Sequence, residues 1–196
     1  MTSPVFVALD TPDLDKAKAI AARVKTQVGG LKLGLEFFSH NGPAGVLEMA
    51  HLGLPIFLDL KLHDIPNTVA GGIRAVVELA PTFITIHAGG GREMMKAAVD
   101  EVATQAVKHG VPRPKLLGVT VLTSLDRSDL EATGVNADPS DQVLRLAALA
   151  HASGLDGVIC SPLEIAALRK QCGPEFVLMV PASDPWAVPP TTRSGR

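Results

Sequence analysis

The sequence predicts a parallel α/β architecture on three observations. Short apolar runs alternate with longer helical patterns along most of the chain. The runs are apolar on both faces, as strands covered from both sides are. Polar residues gather where the runs end: Asp10, Lys32 with Glu36, Asp59 with Lys61 and Asp64, His87, and Thr120 with Thr123. A closed (β/α)8 barrel and an open doubly wound sheet both fit this alternation. In a barrel the carboxyl ends of the strands form the rim that carries the active site. Polar ends on five strands therefore point to one shared pocket.

Taken in order, the first strand is "VFVAL" at 5–9, followed by a helix at 12–27 that Pro12 can open. No glycine occurs in the "ALDTPDLDKA" that follows the strand, so the dinucleotide-binding fingerprint is missing. The second strand reads "LKLGLEFF" at 31–38, with a helix at 41–52. "PIFLDL" at 55–60 is the third strand, and Pro66 opens the next helix at 66–80. "TFITIH" at 82–87 leads through "HAGGG" into a helix at 91–109 ended by Gly110. That glycine run is either a weak phosphate signal or a tight turn. "KLLGVTVL" at 115–122, "GVIC" at 157–160 and "EFVLMV" at 175–180 complete seven strands. Helices at 139–153 and 162–171 begin near Pro139 and Pro162 and end near Gly154 and Gly173.

Composition narrows the function. A net charge of −2 gives no electrostatic case for nucleic acid or a membrane surface. Six Phe, one Trp and no Tyr are too few aromatics for a base-stacking platform. Cys160 and Cys172 fit neither a zinc nor a redox motif, and two thiols do not make a secreted disulfide framework. No apolar run reaches the ~18 residues of a membrane span, and the N-terminus lacks a basic region followed by a long apolar core. The expectation is a soluble, cytoplasmic protein.

The densest chemistry lies in "FLDLKLHDIPNT", residues 57–68. Asp59 and Lys61 are two apart and share one strand face, while Leu58, Leu60 and Leu62 take the other. Charges inside a covered strand must pair or act. Asp64 follows the strand and could cap the helix opened by Pro66. The motif thus offers acid, ammonium, acid. An ammonium flanked by carboxylates keeps its charge. It suits proton donation and cation stabilisation better than Schiff-base formation, which needs the neutral amine. Asp10 could simply cap the first helix. His87 reads as a hydrogen-bonded structural histidine; His51, His109 and His151 as surface helix residues; Cys160 as a small core residue.

"DLKLHDIPNT" at 59–68 resembles the signature of the orotidine 5′-monophosphate decarboxylase family. "VALD", "LKLGLEFF", "IHAGGG", "GVTVLTSLD" and "GVICSPLE" are similar to other family segments, so the resemblance covers about residues 4–181. It implies a (β/α)8 barrel that converts orotidine 5′-monophosphate to UMP with neither metal nor cofactor. Lys61 would protonate C6 of the pyrimidine as CO2 leaves. Asp59 would hold Lys61 beside the substrate carboxylate, and Lys32 would join the charged array and contact the ribose. Asp10 would bind a ribose hydroxyl, and Thr123 the pyrimidine ring. Asp64 and Thr68 would cross a homodimer interface into the neighbouring site. The Asp-x-Lys-x-x-Asp pattern is shared with Mg-dependent sugar-phosphate decarboxylases and aldolases on the same barrel, but "HDIPNT" favours the nucleotide enzyme. A non-catalytic dimerising fragment is the alternative from another class.

The resemblance stops at "EFVLMVP". The family continues Gly-Ile-Arg-Pro, then Asp-Gln-Lys-Arg, then an eighth strand; here residues 182–196 read "ASDPWAVPPTTRSGR". Permitted codons for Pro181–Gly195, regrouped one base earlier, spell Gly-Ile-Arg-Pro and, later, Asp-Asp-Gln-Lys-Arg. The expectation is a barrel domain over 1–181 with about seven strands, without the eighth strand and last helices, and an irregular out-of-frame tail over 182–196. Arg193 and Arg196 belong to that tail and are no substitute for the phosphate-binding arginines, so impaired activity is expected.

Overall fold

A computed structural model describes residues 3–181. The expected tail at 182–196 lies outside the described residues. The chain runs β1 (Phe6–Ala8), α1 (Leu14–Val24), β2 (Gly30–Gly34), α2 (Leu35–Ala50), β3 (Ile56–Leu62), α3 (Pro66–Val77), β4 (Phe83–His87), α4 (Gly91–His109), β5 (Lys115–Val119), α5 (Arg127–Ala132), α6 (Pro139–Ala152), β6 (Gly157–Ile159), α7 (Ile165–Cys172) and β7 (Val177–Met179). All seven strands are parallel and in sequence order. The sheet curls until residues of β1 and β7 line one cavity. The described residues thus form an incomplete (β/α)8 barrel.

Most strand cores fall where the apolar runs place them, and the boundary differences have local causes. The second strand ends at Gly34, four residues early, because that glycine is the N-cap of α2. Phe37 then faces inward at 0% exposure, where helical period serves it as well as strand period. The helix foreseen from residue 41 is only the second part of α2. Gly42, at φ 57° and ψ −162°, interrupts the helix, and Pro43 restarts it. Helix α5 was not foreseen, since six residues are too few for periodicity. It is fixed by Asp126, which accepts from the Asp129 amide while the Asp129 carboxylate accepts from the Asp126 amide. The glycines after β4 make the tight turn: Ala88–Gly90 form one 3-10 turn, and Gly91 enters α4 at φ 85°.

The core lies between the sheet and its helices. Leu31, Leu33, Leu58, Ile84, Ile86 and Leu116 are fully buried, and Ile73, Met94, Met95 and Ala147 on the helices pack into the same cluster. At the amino ends of the strands, Phe6, Phe57 and Phe83 meet edge-to-face with centroids 5.5–6.2 Å apart. Each such pair is worth about 1 kcal/mol beyond burial. Gly30 makes room for this triad, because a Cβ there would collide with the Phe6 ring. Among the described residues no helix is long and apolar enough to cross a membrane.

Candidate active site

Three consecutive strands bring four of the predicted polar residues together, and the fourth strand adds Thr85. Asp10 follows β1, Lys32 lies in β2, Asp59 and Lys61 in β3, and Thr85 in β4. Asp10, Lys32, Asp59 and Lys61 all line a cavity of about 750 Å3 inside the curled sheet. Their charges alternate in space. Lys32 Nζ donates to Asp10 Oδ1 at 3.1 Å and lies 3.8 Å from Asp59 Oδ2. Lys61 Nζ donates to the same Asp59 oxygen at 2.7 Å.

The sequence suggests one ammonium between two acids, Asp59 and Asp64. The structure instead places one acid, Asp59, between two ammoniums, Lys32 and Lys61. Asp59 is the least exposed of the four at 13%, as a carboxylate compensated from both sides can be. Asp10, at 64% exposure, faces solvent. It is not the cap of α1; Asp13 holds that position and accepts from the Lys16 amide at 3.0 Å.

Lys61 has an unusual backbone. Its φ is 49°, in the left-handed region, where a residue with a Cβ pays about 1–2 kcal/mol. The β3–β4 register explains it: Leu58 pairs with Ile84 and Leu62 with Ile86, so four steps on β3 oppose two on β4. The surplus is a bulge, a device that re-aims side chains beside functional sites. Thr85, at 0% exposure, sits against it. Its Oγ accepts from the Lys61 amide at 2.9 Å and donates to Asp59 Oδ1 at 2.9 Å. Sequence reasoning missed Thr85, because a threonine in "TFITIH" reads as ordinary strand filler. The available signal was that Phe83, Thr85 and His87 share one face of β4, beside that of Asp59 and Lys61.

Thr123 lines the cavity and is exposed. Asp64 and Thr68 are exposed and lie outside the cavity lining. Asp64 does not cap α3, whose N-cap is Ile65; its Oδ1 accepts from the neighbouring Ile65 amide at 2.7 Å. His87 stacks on His63 with centroids 5.0 Å apart. Burial, then the His63 ring and the Lys61 ammonium, push its pKa below the usual 6.5. The Thr120 hydroxyl donates to the Ile159 carbonyl at 3.1 Å, joining β5 to β6. On that side the cavity wall is Val119, Val121, Ile159 and Met179, with buried Cys160. Burial pushes the Cys160 thiol up to about 11, so it behaves as an inert core residue.

A parallel barrel with its charges at the strands' carboxyl ends, beside an apolar cavity, is the layout of a (β/α)-barrel enzyme. The comparisons specify which. The model of the orotidine 5′-phosphate decarboxylase / HUMPS family matches residues 3–192, and the chain belongs to that family. The match runs into the segment that the sequence reading sets apart as a tail. The chain is 52% identical over 185 residues to orotidine 5′-phosphate decarboxylase of Paramagnetospirillum magneticum, covering 94% of this chain and 79% of that protein. It is 53% identical over 184 residues to the enzyme of the same name from Rhodospirillum rubrum, covering 93% and 74%. The solved orotidine 5′-phosphate decarboxylase of Lactobacillus acidophilus superimposes with a TM-score of 0.82 at 40% identity, over 92% of this chain and 81% of that one.

Proposed function

We propose that this chain decarboxylates orotidine 5′-monophosphate to UMP, with Lys61 delivering the proton. The observation that carries this reading is the Lys61 ammonium, 2.7 Å from Asp59, beside a cavity whose opposite wall is apolar. As the C6–carboxylate bond breaks, its electron pair stays on C6 and CO2 departs. A preorganised ammonium facing that pair lowers the energy of the developing carbanion where water is excluded. The Lys61 Nζ proton then moves to C6, and a C–H bond replaces the C–C bond.

In this reading Asp59 holds Lys61 and stands beside the substrate carboxylate. Lys32 and Asp10 meet the ribose, and Thr123 the pyrimidine ring. Asp64 and Thr68, exposed and off the cavity, reach the neighbouring site of a homodimer in the cytoplasm. The barrel domain ends at 181, and residues 182–196 are an out-of-frame tail without the phosphate-binding arginines. Turnover is reduced accordingly, because phosphate binding energy normally helps to organise the reacting centre.

The test is loss of orotidylate absorbance with the purified 196-residue chain. Slow, Lys61-dependent turnover is expected, falling at least about a thousandfold in Lys61→Ala with the fold retained. Turnover that survives Lys61→Ala refutes the assignment. Codons at 181–195 that cannot be regrouped as described refute the tail reading, and full-rate turnover refutes the impairment.

A further inference from the structure

We propose that Thr85 is a positioning residue for the proton-donating pair, acting through both the Lys61 backbone and the Asp59 carboxylate. The inference rests on the decarboxylase reading above and adds a group that touches neither substrate nor reacting atoms.

A threonine hydroxyl has one proton to give and lone pairs to accept with. Both capacities are used here, one for each member of the Asp59–Lys61 pair. The proton goes to Asp59 Oδ1 at 2.9 Å, leaving Oδ2 for Lys61 Nζ at 2.7 Å and Lys32 Nζ at 3.8 Å. The lone pair takes the Lys61 amide at 2.9 Å. That amide belongs to the residue held at φ 49°, within the stretch where β3 loses regular pairing with β4. A strained left-handed residue persists only when its surroundings over-determine it. Thr85 supplies such a restraint from a position with 0% exposure.

The same contact orients the carboxylate. Without the Thr85 proton, Asp59 could rotate about its terminal torsion, which is broad and roughly two-fold. With it, one oxygen is anchored to β4 and the other is directed at the ammoniums. Backbone and carboxylate are thereby locked to each other through one side chain. Displacing an ammonium by a fraction of an ångström lowers the rate more than it weakens substrate binding.

The experiment compares Thr85→Val, which keeps the shape and loses the hydroxyl, with Thr85→Ser, which keeps the hydroxyl, in the full chain. Two readouts are taken. The first needs no substrate: hydrogen exchange at the Lys61 amide should be protected in the parent and Thr85→Ser, and about tenfold faster or more in Thr85→Val. The second is orotidylate turnover. Thr85→Val should lose about ten- to a hundredfold in kcat with KM within about twofold, and Thr85→Ser should recover most of the loss. In an Asp59→Ala background, Thr85→Val should add less than about twofold, because the group it positions is gone.

Unchanged exchange at Lys61, parent-like kcat in Thr85→Val, an equal loss in Thr85→Ser, or full additivity with Asp59→Ala each overturns the proposal. A parent chain inert toward orotidylate counts against the function, and amide exchange then still decides for or against Thr85. Should Thr85→Val not fold, Thr85→Ala read against Thr85→Ser makes the same comparison without setting a methyl against the Asp59 carboxylate.

Discussion

On the β1–β3 side the cavity is lined by Asp10, Lys32, Asp59 and Lys61 above the apolar Phe6, Val7, Ala8 and Phe57, whereas β5–β7 face it with Val119, Ile159 and Met179. The charges of the first wall form ion pairs whose members restrain one another. The second has no charged side chain among the described lining residues. The contrast shows how the charges can be effective. An ammonium beside an apolar wall acts through a lower effective dielectric than one surrounded by water. The apolar strands β5–β7 therefore strengthen the charges across the cavity without carrying a charge themselves.

Substitutions can break or sharpen this contrast. The largest effect in this set is expected for Asp59→Ala, which leaves Lys61 and Lys32 without their shared counter-ion; orotidylate turnover should fall by about 10³-fold. Lys32→Ala removes the more distant of its two ammoniums and should cost about 10²-fold in the same assay. Across the cavity, Cys160→Ala should leave turnover within about twofold, since the thiol only fills space. A Cys160→Ala loss as large as that of Asp59→Ala would abolish the distinction between the walls.

Two pH effects are smaller, and their signs follow from the shifts. His87 lies below 6.5 when folded, so its neutral form is favoured in the native state. Stability is fully present above 6.5 and is lost as pH falls through the folded value. Urea midpoints measured downward from pH 7 should therefore decline, and His87→Gln should remove part of that slope. Cys160 rises from 9.0 to about 11 on folding, so its contribution is full below 9 and is lost as pH climbs toward 11. At pH 8, thiol-directed labelling of folded protein should be much slower than that of urea-unfolded chain.

Legibility in the sequence followed the range of the physics. Alternating apolar runs and helical periods are local signals, and they mark out the seven strands and the major helices. The shared face of Asp59 and Lys61 was also readable, because a strand period of two needs no tertiary knowledge. The partners were not readable from period alone. The family resemblance named Lys32 and Lys61 beside Asp59 and sent Asp64 elsewhere, but the geometry of that array depends on which strands lie side by side and how far each reaches. The bulge was hidden for a deeper reason. A left-handed backbone angle is normally signalled by glycine or asparagine, and here a lysine adopts it under restraint from β4.

The bulge also bears on how the sheet assembles. Sliding β3 by two residues against β4 would keep every leucine on its own face, so hydrophobic burial alone does not forbid that misalignment. The polar contacts do forbid it. A two-residue slip would set Phe57 or Lys61 where Asp59 now meets the Thr85 hydroxyl, leaving a buried oxygen without a matching carboxylate. One threonine thus gives the central strands a vernier mark. The pairing that completes the charged wall is also the pairing in which the buried hydroxyl is satisfied, so correct alignment and correct chemistry are selected together as the chain folds.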